Sequence, residues 1–203
     1  MQWSIRTMSR YPTANTSGSK SRFIEMFKSS NTFVSEGTLA DFCLLKAGKG
    51  VKSEDIHEHP LKNADIPCYG GNGLRGYVSD YSHEGSFNLI GRQGALCGNV
   101  VLAKGRFYAT EHAVVVYPNP DTDPVWLRYH LEKMNLNQYA TGTAQPGLSV
   151  QKILELQCSI PLFETQKKVA EAIIKIELDI QNAEEFCRNS YFRKQAVLDK
   201  YLK

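Results

Sequence analysis

Residues 66–78 read IPCYGGNGLRGYV, and residues 89–100 read LIGRQGALCGNV. Both stretches interrupt short apolar runs with glycine, which adopts the positive φ values of tight turns at little steric cost. The Asn72-Gly73 pair is typical of a tight hairpin turn. These two stretches therefore predict short strands, joined by tight turns, in a small and curved β structure.

Short apolar runs bounded by Gly, Pro and Asn continue this pattern towards the C-terminus. We predict strands at 87–90, 100–103, 107–108 and 113–117. Gly105, between Lys104 and Arg106, predicts a hairpin turn that separates the second of these strands from the third.

The segment after residue 118 predicts short helices and one more strand. Asp123 followed by Pro124 is typical of an N-cap and a first helical residue, so we predict a helix at 123–134. A loop rich in Gly, Thr and Pro at 141–149 then leads to a short helix at 149–154. A strand at 158–161 closes this part of the chain.

Beyond residue 162 the apolar pattern becomes that of one long helix. Apolar or small residues recur in steps of 4, 3, 4, 3 and 4, which is the heptad repeat of a coiled coil. A helix of roughly 38 residues would be about 57 Å long. Because it cannot bury its apolar stripe alone, we predict that it pairs with a second helix. The residues of this seam are Val169, Ile173, Ile176, Ile180, Ala183 and Cys187.

The composition excludes several classes of protein. A hydrophobic content of 42% over 203 residues supports a packed core, and a net charge of +3 does not by itself indicate nucleic-acid binding. The apolar runs are too short to cross a bilayer. The five cysteines form no CxxC pair, so we expect free thiols in a reducing cytoplasm. We predict no metal site, because the fragment His57-Glu58-His59 has no evident third ligand.

The sequence lacks the motifs of enzymes that modify or cleave DNA. Asn119-Pro120-Asp121-Thr122 holds only the first half of the Asn/Asp-Pro-Pro-aromatic motif of amino-methyltransferases. The sequence contains neither the Asp/Glu-x-Lys motif of many nucleases nor a Walker-type phosphate loop. His112 is interpreted as a hydrogen-bonded structural histidine. We therefore predict no catalytic residue.

An ordered set of short motifs carries a family resemblance over about residues 21–203. The motifs are Pro67-x-Tyr69-Gly70-Gly71, Gly76-Tyr77-Val78, Ile90-Gly91-Arg92-x-Gly94, Cys97-Gly98-Asn99-Val100, Thr110-x-His112-Ala113, Thr143-Ala144-Gln145-Pro146-Gly147-Leu148-Ser149 and Ile160-Pro161-Leu162 followed by Gln166. In order and spacing they resemble the target recognition domain of the specificity subunit of Type I restriction-modification enzymes.

The resemblance implies an α+β fold, in which a compact β-rich target recognition domain with short helices precedes one long coiled-coil helix. We expect a flexible leader at 1–20, the recognition domain at 21–161 and a dimerisation and spacer helix at 162–203. Typical members carry two recognition domains and two such helices. The chain therefore resembles a half-subunit: a natural half, a truncation or a product of rearranged specificity genes. We expect such a half-subunit to form a homodimer through its helix.

The resemblance also implies a function without catalysis in this chain. The recognition domain would read one half of a split target in double-stranded DNA. The paired helices would set the spacing between the half-sites and dock methyltransferase subunits, and a restriction and translocase subunit is a further expected partner. We expect no cofactor in this chain, since S-adenosylmethionine, ATP and magnesium belong to those partners.

Polar and cationic residues on the glycine-rich loops are the candidate DNA contacts. Arg92 is interpreted either as a phosphate clamp or as a surface residue beside structural glycines. Asn72 and Arg75 either enter a groove, where Asn reads adenine and Arg reads guanine, or belong to an ordinary hairpin. The other residues either contact DNA or remain solvated or structural. The full candidate set is Lys46, Lys49, Lys52, Asn72, Arg75, Arg92, Gln93, Asn99, Lys104, Arg106, Thr141, Thr143 and Gln145.

The sequence leaves a second class of function open. Residues 41–110 hold eight Lys or Arg residues against seven acidic residues. Such a balance also fits a β-rich protein-interaction module with a coiled-coil tail and no DNA contact. Salt distinguishes the two classes, because phosphate contacts release counterions and weaken steeply as salt rises.

Overall fold

The computed structural model of the chain describes residues 34–142 and 146–202. Its strands are β1 (Val34–Thr38), β2 (Cys43–Ala47), β3 (Ile66–Gly70), β4 (Gly73–Val78), β5 (His83–Gly91), β6 (Val100–Ala109), β7 (Ala113–Pro118) and β8 (Gln157–Pro161). Its α-helices are α1 (Pro124–Met134), α2 (Val150–Leu154) and α3 (Phe163–Tyr201). The α+β prediction is confirmed. The predicted leader at 1–20 and the candidates Thr143 and Gln145 lie outside the described residues.

A six-stranded sheet in the order β2-β7-β5-β6-β3-β4 forms the body of the domain. Neighbouring strands are antiparallel, except that β3 runs parallel to β6. β1 and β8 pair in a separate two-stranded ladder. Both faces of β7 are covered from Ala113 to Val116, which explains why its sequence is continuously apolar rather than alternating.

β6 is one continuous strand, so the predicted hairpin at Lys104-Gly105-Arg106 is wrong. The ladder between β5 and β6 runs without interruption from His83 opposite Phe107 to Ile90 opposite Val100. Gly105 lies opposite Gly85, and both adopt positive φ values, of 76° and 129°. Because glycine tolerates these values, the two strands change direction together and keep their register.

The core lies on the sheet and contains a group of stacked and edge-packed rings. Phe107 is fully buried, and the Tyr69 ring meets it edge-on with centroids 5.9 Å apart. The buried residues of this cluster are Leu89, Ala103, Phe107, Ala109, Ala113 and Val115, with Tyr69, Phe87 and Tyr117 packed against them.

Helix α1 begins as its sequence predicts. Oδ1 of Asp123 accepts hydrogen bonds from the N–H groups of Val125, at 3.0 Å, and Trp126, at 2.8 Å. Pro124 occupies the first helical turn, where its missing N–H has no consequence. The helix ends at Asn135, whose φ of 48° places it in the left-handed region. The short helix α2 is capped in the same manner by Ser149.

The predicted long helix is present as α3, with 39 residues. The chain divides into a larger unit, Phe33–Glu171, and a second unit that contains the helix from Ala172 onwards. Along the predicted seam, Val169 and Ile173 are buried, Ile176 and Ile180 are half-buried, and Ala183 and Cys187 are exposed. Several large apolar side chains beyond Glu177 are also exposed, among them Leu178, Phe186, Tyr191, Phe192 and Tyr201. No helix in the described part of the chain is both long and apolar enough to cross a membrane.

Candidate nucleic-acid interface

A cleft of about 430 Å³ lies between the β3–β4 turn and the loop that follows β5. Three predicted candidates, Asn72, Arg75 and Gln93, line it together with His112. The remaining lining is Gly70, Gly71, Gly73, Leu74 and Gly94. The structure thus brings together residues that are up to 42 positions apart in the sequence, from Gly70 to His112. Its polar groups are two amides, one guanidinium and one imidazole.

Glycine at two positions allows the walls of the cleft to meet. A Cβ atom built on Gly71 would lie 2.6 Å from the carbonyl oxygen of Gln93. A Cβ atom built on Gly91 would lie 2.0 Å from the carbonyl oxygen of Gly71. Because these neighbours are backbone atoms, no side chain can be accommodated there without moving the main chain. The predicted glycine-rich turns therefore serve a close approach of two loops.

Backbone hydrogen bonds fasten Pro146, Gly147 and Leu148 to the same wall. Leu148 donates its N–H to the carbonyl of Arg92 at 2.8 Å, and Gly94 donates to the carbonyl of Pro146 at 2.9 Å. Thr141 and Gly147 exchange two backbone hydrogen bonds of 2.9 Å. The exposed Thr141 is thus attached, through Gly147, to residues that contact the wall of the cleft.

Arg92 has a structural role through its main chain. Its N–H donates to the carbonyl of His112 at 2.8 Å, and its own carbonyl accepts from Leu148. It is half-buried and is absent from the lining of the cleft, whereas its exposed neighbour Gln93 belongs to that lining. The phosphate-clamp interpretation of the Arg92 side chain stays a prediction.

The three predicted lysines, Lys46, Lys49 and Lys52, each have a different contact in the structure. Lys46 lies on β2, and its Nζ is 5.5 Å from the centroid of the Tyr117 ring. Lys49 donates its backbone N–H to the carbonyl of Ala109 at 2.9 Å. Nζ of Lys52 lies 3.4 Å from Oε1 of Glu54, in an exposed ion pair. All three lysine side chains are exposed and available to an anionic partner.

Three further candidates lie away from the lining of the cleft. Lys104 and Arg106 are exposed in the middle of β6, where Arg106 pairs with Glu84 at 3.4 Å and stacks on the Tyr81 ring at 5.0 Å. Asn99 is exposed, and its carbonyl accepts a hydrogen bond from the N–H of Gly91. These side chains could contact a phosphate backbone, but they do not converge with Asn72 and Gln93.

His112 contributes to the cleft although the sequence indicated a structural role. Its Nε2 lies 3.2 Å from Oε1 of Glu111, and its side chain is 38% exposed.

The sequence also gave no signal for His83. The Nε2 of His83 lies 2.8 Å from the Tyr117 hydroxyl and its Nδ1 lies 2.7 Å from Oγ of Ser82. Burial lowers the pKa of the His83 imidazole, and the nearby charge of Lys49 lowers it further.

The cysteines of the described residues contribute packing. Cys43, Cys68, Cys97 and Cys158 are buried, and Cys187 is exposed on α3. Burial raises the pKa of the Cys43 thiol to about 12 and that of the Cys158 thiol to about 11. These two thiols therefore remain protonated and unreactive near neutral pH. Within the described ranges, no group of three or more His, Cys, Asp or Glu side chains is arranged to hold a metal ion.

Comparison with known proteins identifies the family to which this arrangement belongs. Residues 34–185 match the model of the Type I restriction modification DNA specificity domain. The chain belongs to this family. The match covers the sheet, the cleft and the first 23 of the 39 residues of α3. The resemblance inferred from the glycine-rich motifs is confirmed.

One curated relative is the Type I restriction enzyme EcoprrI specificity subunit of Escherichia coli. It is 48% identical to this chain over 140 residues, which are 69% of this chain and 35% of the relative. The family member described here thus spans about a third of the length of that relative.

Solved structures of specificity subunits share the fold. The S subunit of a Type I restriction-modification system from M. genitalium superposes with a TM-score of 0.65 at 17% identity, over 77% of this chain and 42% of that one. The HsdS subunit from Thermoanaerobacter tengcongensis superposes with a TM-score of 0.57 at 12% identity, over 83% of this chain and 46% of that one. The chain therefore spans somewhat less than half of each.

Proposed function

We propose that this specificity-family chain selects a DNA sequence by reading one half of a split target. The observation that carries the proposal is the family match over residues 34–185. The cleft supports it, because its polar side chains are of the types that read base edges. The chain itself is proposed to be non-catalytic and to leave methylation and cleavage to partner subunits.

Base readout is assigned to the side chains that line the cleft. The amides of Asn72 and Gln93 offer a donor and an acceptor each, which is the pattern that pairs with N6 and N7 of adenine. The guanidinium of Arg75 offers parallel donors that match O6 and N7 of guanine. Asn72 and Arg75 lie on the β3–β4 hairpin and Gln93 lies on the loop after β5, so the cleft can present them together to successive base pairs.

Phosphate contact is assigned to exposed cations outside the cleft. Lys46, Lys49, Lys52, Lys104 and Arg106 are all exposed. Phosphate contacts position a protein on DNA without reading its sequence, and each one adds to the salt dependence of binding. Replacing any of these residues is therefore expected to weaken binding to all DNA sequences by similar factors.

Spacing and assembly are assigned to helix α3. Its apolar side chains remain exposed over the second half of the helix, as expected of a surface that another helix covers. A second copy of this chain, paired through α3, would present two recognition domains and read a symmetric split site. Methyltransferase subunits and a restriction and translocase subunit are the proposed further partners, and they would bring S-adenosylmethionine, ATP and magnesium.

Co-purification with the methyltransferase subunit of the same system tests this proposal. The complex is expected to methylate a split, symmetric motif, which sequencing of methylated DNA would identify. Binding to that motif is expected to weaken steeply as salt rises from about 50 to 200 mM, because counterions are released from phosphates. A chain that forms no complex, and whose binding to DNA is absent or insensitive to salt, would instead be a protein-interaction module.

A further inference from the structure

Residues 49–57 form a segment that is fixed at one end to the end of β6 and at the other end to β4, the last strand of the sheet. At one end, Lys49 donates its N–H to the carbonyl of Ala109 at 2.9 Å. At the other end, His57 and Tyr77 exchange two backbone hydrogen bonds, of 2.9 and 2.8 Å. Between them, the hydroxyl of Tyr108 donates to the carbonyl of Gly50 at 3.0 Å. The segment therefore has a defined position relative to the cleft.

Gly76 permits this close packing of the segment on β4. A Cβ atom built there would lie 2.5 Å from the carbonyl oxygen of His57 and 2.7 Å from Cγ2 of Ile56. Any side chain at this position would push the segment away from the strand. In the Gly76-Tyr77-Val78 motif, Gly76 allows the close approach and Tyr77 makes the backbone hydrogen bonds that keep residues 49–57 packed on β4.

Ser53, in the middle of this segment, holds the side chain of Arg75 at the rim of the cleft. Nη2 of Arg75 donates a hydrogen bond to Oγ of Ser53 at 3.2 Å. A Cβ atom built on Gly70 would lie 3.5 Å from Cδ of Arg75, so the stem of Arg75 passes close to Gly70. This hydrogen bond uses one of the five N–H groups of the guanidinium. The side chain is thus oriented while donors remain for a ligand.

We propose that Arg75 recognises a guanine of the DNA target and that Ser53 is a positioning residue for this contact. The inference rests on the proposed function, because it takes DNA as the ligand of the cleft. A bidentate contact to O6 and N7 of guanine requires the guanidinium to have one orientation in the plane of the base pair. Fixing that orientation before DNA arrives lowers the conformational entropy lost on binding.

The test uses the full chain and a DNA duplex selected by it from a random library. Each guanine of the preferred sequence is replaced in turn by 7-deazaguanine, which keeps Watson–Crick pairing and the phosphate backbone but lacks the N7 acceptor. At one guanine the parent chain is expected to lose affinity by roughly 5- to 150-fold. Arg75→Ala is expected to be insensitive to the replacement at that guanine, because it removes the guanidinium that donates to N7.

The serine variants test the positioning role. Ser53→Ala is expected to reduce the discrimination between guanine and 7-deazaguanine by about 2- to 12-fold, the cost of ordering one long side chain. Ser53→Thr retains a hydroxyl and is expected to behave like the parent. Ser159→Ala, at an exposed serine of β8, is the matched control and is expected to change nothing.

Each contrary result has a separate meaning. If Arg75→Ala weakens binding to every sequence equally and keeps the parent's sensitivity to 7-deazaguanine, Arg75 contacts phosphate and the guanine assignment is overturned. If Ser53→Ala discriminates as well as Ser159→Ala, the positioning role is overturned while the proposed function stands. If the parent selects no sequence from the library, the proposed function fails, and this inference fails with it.

Discussion

Replacing Gln166 by leucine is expected to destabilise the domain through the loss of three hydrogen bonds. Gln166 lies at the start of α3 and is 1% exposed. Its Oε1 accepts from the N–H of Asp123 at 2.7 Å, and its Nε2 donates to the carbonyls of Pro161, at 2.9 Å, and Asp121, at 3.2 Å. One side chain therefore connects α3 with the end of β8 and with the cap of α1.

The magnitude follows from the groups that the substitution leaves without a partner. Leucine fills a similar volume but satisfies neither the N–H of Asp123 nor the two carbonyls. A typical hydrogen bond contributes about 0.5–1.5 kcal/mol net, and an unsatisfied buried group costs about 1–3 kcal/mol. A carbonyl group that keeps a second hydrogen-bond partner causes a smaller destabilisation. We therefore expect the free energy of unfolding to fall by about 2–4 kcal/mol.

Urea denaturation, followed by circular dichroism and by the fluorescence of the buried Trp126, measures this effect. With a slope of roughly 2–3 kcal/mol per M, the midpoint should fall by about 0.7–2 M. Gln151→Leu is the matched control, because Gln151 is exposed and its amide donates to Oε1 of Glu155, the residue that follows α2, at 3.2 Å. A control change below about 0.5 kcal/mol is expected. Equal midpoints for the two variants would refute the reasoning.

Three further predictions concern the helix, the cleft and pH. Ile176→Glu combined with Ile180→Glu is expected to convert a dimer to monomers in analytical ultracentrifugation. The control Ile174→Glu, which lies off the predicted seam, should leave the dimer intact. A dimer that survives the seam substitutions would exclude this interface. Gly71→Ala is expected to lower the free energy of unfolding by about 1–3 kcal/mol, because the new Cβ meets the backbone oxygen of Gln93. An unchanged urea midpoint would show that the two loops separate easily. Burial lowers the pKa of His83 in the folded protein, so the unfolded chain takes up the proton first. The stability contributed by neutral His83 is therefore complete above the unfolded pKa of about 6.5 and is lost as pH falls through the lower folded pKa. Urea midpoints at several pH values should show this loss in the parent and a smaller one in His83→Phe, and equal slopes would contradict it.

Local sequence signals predicted the elements whose causes are local. The Asp123-Pro124 cap determines the start of α1 through hydrogen bonds to residues two and three positions later. The heptad spacing from Val169 predicted a long helix, since helical periodicity is a property of consecutive residues. Gly105 misled the prediction, because a glycine with positive φ is equally compatible with a hairpin turn and with a bend in a continuous ladder. The pairing partner Gly85, 20 residues earlier, decides between them.

The cleft was predictable as a set of residues but not as an arrangement. Asn72, Arg75 and Gln93 were candidates from residue type and glycine-rich context alone. Their convergence depends on the contact between Gly71 and Gly91, and no local pattern reports which distant backbone atoms a glycine will meet. The hydrogen bond from Arg75 to Ser53 spans 22 positions, and Ser53 has no distinguishing sequence context. The same limit applies to Gln166, whose burial arises from three separate segments.

The walls of the cleft are fastened by main-chain hydrogen bonds and by glycines that meet backbone atoms. Asn72 and Gln93, which project from these walls, are exposed and take no part in the fastening through their side chains. Evolution can therefore exchange the amino acids that face DNA while the scaffold beneath them stays the same. A lineage could acquire a new target by point substitutions at these positions, and a designer could build a library there without first repairing the fold.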